Sequence, residues 1–178
     1  MEKHGEIIDK GALRFERVLP GPIERVWAYL TESEKRRKWL AAGEMDLRVG
    51  GPVQLRFLHR ELSPINEPTP DKYKQMENGK ASSGEILRCE PPRVLSFAWH
   101  DESDEPSEVT FELKPQNDKV LLILTHRKLK DVTGIAAGWH THLGILSDQF
   151  NGVTPRPFWS THIKNEADYQ SRFAKALA

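Results

Sequence analysis

Hydrophobic positions follow two periods along the chain, and the switch between them outlines the fold. Leu13, Phe15 and Leu19 stand among charged neighbours in near-alternation, as in a half-buried strand. Pro20-Gly21-Pro22 ends that strand. Pro22 suits the first position of a helix, and Ile23, Val26, Trp27 and Leu30 recur at i, i+3, i+4 and i+7, one amphipathic face. Thr31 and Glu34 fit a capping box for a second short helix ending near Trp39 and Leu40.

Period two then takes over. Glu44 to Val49, a Gly50-Gly51-Pro52 turn, and Val53, Leu55 and Phe57 read as a hairpin. Four more strands are predicted over Gly84 to Cys89, Arg93 to Trp99, Glu108 to Leu113 and Lys119 to His126. Pro91-Pro92, the acidic stretch Asp101 to Pro106, and Pro115-Gln116-Asn117-Asp118 separate them, and such short connections make neighbours antiparallel. Alternation puts Phe57 and His59, Phe97 and Trp99, Phe111 and Leu113, and Leu122, Leu124 and His126 on the inward rows of their strands. A one-sided sheet must bury that face, and the helical stripe Trp139, Leu143, Leu146 and Phe150, stopped by Asn151-Gly152, is its largest partner. Residues 60–83 carry Pro64, Pro68 and Pro70, are long for a structureless connection, and read as a lid-like loop. A last helix starts near Pro157.

Composition narrows the partners. The 178 residues fit one domain, 1–178, with 153–178 as a helical extension. Twenty-six basic residues balance 26 acidic ones, so no overall charge draws the chain to nucleic acid or an anionic membrane. The basic run Lys35 to Lys38 reads as a solvated helix face. No apolar run approaches the ~20 residues of a membrane span. One cysteine, Cys89, rules out an internal disulfide and a thiolate metal site, and with no apolar leader at the start the expected compartment is the cytoplasm.

Several stretches carry a resemblance: Pro22-Ile23-Glu24-Arg25-Val26-Trp27, Trp39-Leu40, Gly50-Gly51-Pro52, Gly84-Glu85-Ile86-Leu87, Pro91 to Trp99, Leu124-Thr125-His126 and Gly138 to Leu143. With the order of elements, they resemble the START-like, or SRPBCC, superfamily, and more narrowly the family named after the activator of the heat-shock chaperone ATPase. The resemblance implies an α+β helix-grip fold: a curved antiparallel sheet wrapped around a long C-terminal helix, with two short helices between the first two strands. It also implies an internal cavity for a small hydrophobic molecule.

On that frame the candidate ligand-binding residues are Phe57, His59, Trp99, Phe111, Leu122, His126, Trp139 and Leu143. Three functions compete: binding of an apolar or aromatic ligand, a cyclase-like or hydrolytic enzyme using His126 and His59 as acid or base, and stimulation of a chaperone ATPase. Nucleophile motifs are absent. No cofactor or metal is expected, since His140 and His142, two apart on a helix, diverge by roughly 200° and do not converge on one ion. Phe158 and Trp159 offer either a homodimer surface or packing back onto the domain.

Overall fold

Alternating burial dictates how the sheet lies. In the computed structural model, which describes residues 2–100 and 105–176, strand β3 (Pro52–Phe57) exposes every second side chain and turns Val53, Leu55 and Phe57 inward. The same rule holds for β2 (Ala12–Pro20), β6 (Ser107–Gln116) and β7 (Lys119–Arg127). With β1 (Glu6–Asp9), β4 (Lys80–Glu90) and β5 (Val94–His100) they form one antiparallel sheet in the order β1-β2-β7-β6-β5-β4-β3. After β2 the chain crosses to the opposite edge through α1 (Ile23–Thr31) and α2 (Ser33–Arg36), then meanders back until β7 pairs with β2 from Leu13↔His126 to Pro20↔Lys119. Helix α3 (Val132–Phe150) lies in the concave face, capped by the Asp131 side chain, which accepts from Gly134 N–H. This is the helix-grip architecture.

Several local expectations change. Strand β1 was not legible because it is mostly exposed and carries no apolar alternation. Glu44 to Val49 is no continuous strand: the segment touches β3 through single bridges, Ala42↔Arg56 and Met45↔Val53, and the ladder partner of β3 is β4. Gly43 at φ +121°, its α-carbon against the Gln54 backbone, breaks the extended run. Strand β4 begins four residues early, so residues 80–83 pair with β3 and do not belong to the lid-like loop. The capping box does not form, because the Thr31 hydroxyl turns back to donate to the Trp27 carbonyl. Within the basic run, Arg36 is buried and donates to the carbonyls of Leu30, Thr31 and Gly43, pinning the two-helix corner; the solvated reading fails for that residue. The acidic stretch 101–104 lies outside the described residues.

Helix α3 is buried on more than one stripe. The sheet covers one side, and α4 (Phe158–Ala176) covers another, burying Phe158, Trp159, His162, Tyr169 and Phe173. Tyr169 accepts from Gly5 N–H and meets His140 Nδ1 at 2.8 Å, while Asn165 donates to the Thr141 hydroxyl. Phe158 and Trp159 therefore pack back into their own chain.

An aromatic cavity between sheet, helices and loop

Packing closes over the middle of the sheet and leaves a cavity of about 560 Å³ at one end, within the range of small-molecule sites. Strand ends bring Phe57, Trp99, Ser107 and His126 to it, the first half of α3 brings Trp139 and His142, and α4 brings Phe158, Trp159 and His162. Gly138 on α3 withdraws side-chain volume from the wall, since a Cβ built there would meet nothing within 4 Å, whereas one on Gly134 would meet the capping carboxylate of Asp131. The remaining wall is a 3₁₀ turn of the lid-like loop, Asp71–Met76.

The floor is a row of parallel rings. Phe57 lies 5.6 Å from Trp99 at 9°, and Trp99 lies 5.6 Å from His126 at 10°, with Trp139 edge-on to Trp99 and His126. His126 is buried and tied at both nitrogens. Trp139 Nε1–H, which can only donate, reaches His126 Nδ1 at 2.9 Å, so the ring proton sits on Nε2 and is given to Ser107 Oγ at 2.8 Å. The ring is a neutral bridge between sheet and helix.

Two further imidazoles behave differently. His142 donates from Nδ1 to the Trp39 carbonyl at 2.8 Å, so its Nε2 carries the lone pair, and burial pushes its pKa down to about 3. His59, in the short 3₁₀ turn His59–Glu61, lies tilted against Phe158 (4.2 Å) and Trp159 (5.1 Å), with His142 at 5.7 Å. Its Nδ1 is buried with no hydrogen-bond partner among the described residues, and burial, then the neighbouring His162 and Lys80, push its pKa to about 4.

The loop wall is latched to α4. Tyr73 stacks on Trp159 at 5.1 Å and donates to Glu166 at 2.7 Å; Lys72 pairs with the same carboxylate; His162 Nε2 lies 3.2 Å from the Tyr73 hydroxyl. Glu67 accepts from Ser160 N–H in the first turn of α4, satisfying a donor that a helix start leaves open, and Ser63 donates to Pro155 O.

Of the residues singled out from the sequence, Phe57, His59, Trp99, His126 and Trp139 line the cavity. Phe111, Leu122 and Leu143 share their inward rows but sit farther from the open end, buried in the continuous core beneath it. Sequence reasoning missed Tyr73, Phe158, Trp159, His162 and Glu166 as wall residues. Phe158 and Trp159 stood out in the extension, but Tyr73 is the one aromatic residue of the loop, and the contact between the two segments was not visible. His140 and His142 diverge as the helix geometry requires, one toward Tyr169 and the other toward Trp39. Among the described residues no cluster of three His, Cys, Asp or Glu could hold a metal ion, and no helix is long and apolar enough to cross a membrane.

Known proteins place this architecture. Among solved structures, the protein encoded by gene BPP1335 of Bordetella parapertussis is similar at 43% identity and TM-score 0.81, over 96% of this chain and 91% of that one. CalU16 of Micromonospora echinospora matches at 22% identity and TM-score 0.65, over 94% and 93%. The Aha1 dimer of Colwellia psychrerythraea matches at 15% and 0.57, over 78% and 95%. The last two share the fold alone. No curated protein matches. The family model described as Activator of Hsp90 ATPase homolog 1-like protein matches residues 20–151, from the end of β2 through α3, so the α4 wall lies beyond it. A chain with that match over most of its length, and with the helix-grip sheet and helix it predicts, belongs to the Activator of Hsp90 ATPase homolog 1-like family.

Proposed function

We propose that this protein binds a small apolar or aromatic molecule in the cavity between sheet, α3 and α4. The observation that carries the reading is the cavity itself: about 560 Å³, walled by Phe57, Trp99, Trp139, Phe158 and Trp159. Interiors normally fill such space, and Gly138 faces it where a larger residue would begin to fill it. The acid–base alternative would draw on His126, whose nitrogens engage Trp139 and Ser107.

Gly138→Leu tests the reading with little risk to the fold, since the new side chain enters open space and leucine favours helix over glycine by up to about 1 kcal/mol. Binding of the neutral fluorophore N-phenyl-1-naphthylamine, followed by its emission and by native mass spectrometry, should saturate at one site in the wild type. The variant should unfold at the same or a higher temperature and bind at least about tenfold more weakly. Equal affinity in the two proteins would move the site elsewhere.

A further inference from the structure

Inside an otherwise aromatic wall, His59 and His142 stand with ring centroids 5.7 Å apart. Resting on the cavity reading above, we infer that this imidazole pair selects an un-ionised aromatic ligand bearing a hydroxyl group, which donates to His142 Nε2 and pairs with His59, and that it discriminates against the carboxylate analogue. The tautomer makes the first half of the argument. A carbonyl can only accept, so Trp39 O fixes the proton of His142 on Nδ1 and leaves Nε2 as the acceptor of a ring that lines the cavity. His59 adds a buried Nδ1 with no hydrogen-bond partner among the described residues, and so, on the α4 side of the cavity, does His162. Buried polar atoms of this kind are uncommon unless a ligand or water completes them.

Charge makes the second half. Both rings are held neutral by burial, and the side chains stacked around them are Phe57, Phe158 and Trp159, none a cation. The nearest titratable neighbour, His162, is itself pushed toward the neutral form by burial and lies against Tyr73. At the mouth, Lys72 is held by Glu166 and Lys128 by Glu108. Apart from Lys80, whose charge reaches His59, a carboxylate placed beside the pair would find no cation among the side chains packed on the two rings to replace its hydration, whereas a phenol loses little and gains a hydrogen bond.

Isothermal titration with naphthalene, 2-naphthol and 2-naphthoate at pH 7.5 separates the ideas. We expect 2-naphthol to bind at least about tenfold more tightly than either relative. His142→Asn keeps an N–H for the Trp39 carbonyl but removes the second ring nitrogen; it should reduce that preference, read as the ratio of 2-naphthol to naphthalene affinity in the same protein, to less than about threefold. His59→Phe, which keeps the flat ring and removes both nitrogens, should also weaken the preference and stands as the second variant if the first folds poorly. Equal binding of naphthalene and 2-naphthol overturns the inference while sparing the cavity reading, as does a preference that survives both substitutions. Tighter binding of 2-naphthoate overturns it in favour of an anion held by a mouth cation such as Lys80. Binding of none of the three removes the cavity reading and this inference together.

Discussion

His126 and His59 sit on the same wall under opposite constraints, and that contrast governs what their replacement does. His126 joins Trp139 to Ser107, so His126→Ala leaves the buried Trp139 N–H without an acceptor and opens space under Trp99. Urea denaturation should show a loss of about 2–4 kcal/mol. His59→Phe removes a buried nitrogen that has no partner, and the same measurement should show a gain of up to about 1 kcal/mol. If both substitutions destabilised equally, His59 would have to be satisfied in solution by a group other than ligand. Strand alternation assigned both residues to the inward face, but alternation carries no information on partners. That difference arises because Ser107 and Trp139 reach one ring, and Phe158 and Trp159 pack on the other.

At the scale of elements, the lid-like loop and α4 form one unit although about 90 residues of sequence separate them. The latch of Tyr73, Lys72, Glu166 and His162 is half-exposed, so its ion pair contributes little to global stability, whereas it decides how readily the loop separates from the helix. Tyr73→Phe should change the unfolding free energy by less than about 1 kcal/mol yet speed amide exchange across residues 71–79 several-fold. Exchange that stays as slow as in the wild type would show that stacking on Trp159 holds the loop without the hydroxyl. Removal of residues 153–178 is far more severe. Phe158, Trp159, Tyr169 and Phe173 each contribute on the order of 2 kcal/mol of burial, together comparable with the whole stability of an ordinary domain. The shortened chain should lose cooperative thermal unfolding.

For the whole molecule, the buried histidines tie stability to pH. Burial lowers His59 and His140 to about 4 and His142 to about 3, and lowers His162 as well, whereas the unfolded chain protonates all of them near 6.5. Above pH 6.5 neither state binds these protons. Between about 6.5 and 4 only the unfolded state does, so acidification favours unfolding, by up to about 1.4 kcal/mol per pH unit for each ring. The urea midpoint should therefore be flat from pH 8 to 7 and fall steeply from 6.5 to 4.5. A midpoint unchanged at pH 5 would mean that these rings take up protons while folded.

The order of side chains alone specified the elements whose signal is local: the inward rows of β2, β3, β5, β6 and β7, the stripe on α3, the stops at Pro20-Gly21-Pro22 and Asn151-Gly152, and with them the sheet wrapped on a helix. Period and turn chemistry act over a few residues, so they are written in the order of side chains. Tertiary structure decided what depends on distance: the exposed edge strand β1, the burial of Arg36 in a corner of carbonyls, and the docking of α4 on the loop. It also decided where the inward rows stop packing, which put Phe57, Trp99 and Trp139 against open space and Phe111, Leu122 and Leu143 in solid core. Those outcomes depend on contacts between segments far apart in the chain, and a hydrophobic pattern specifies which face turns inward without specifying what meets it there.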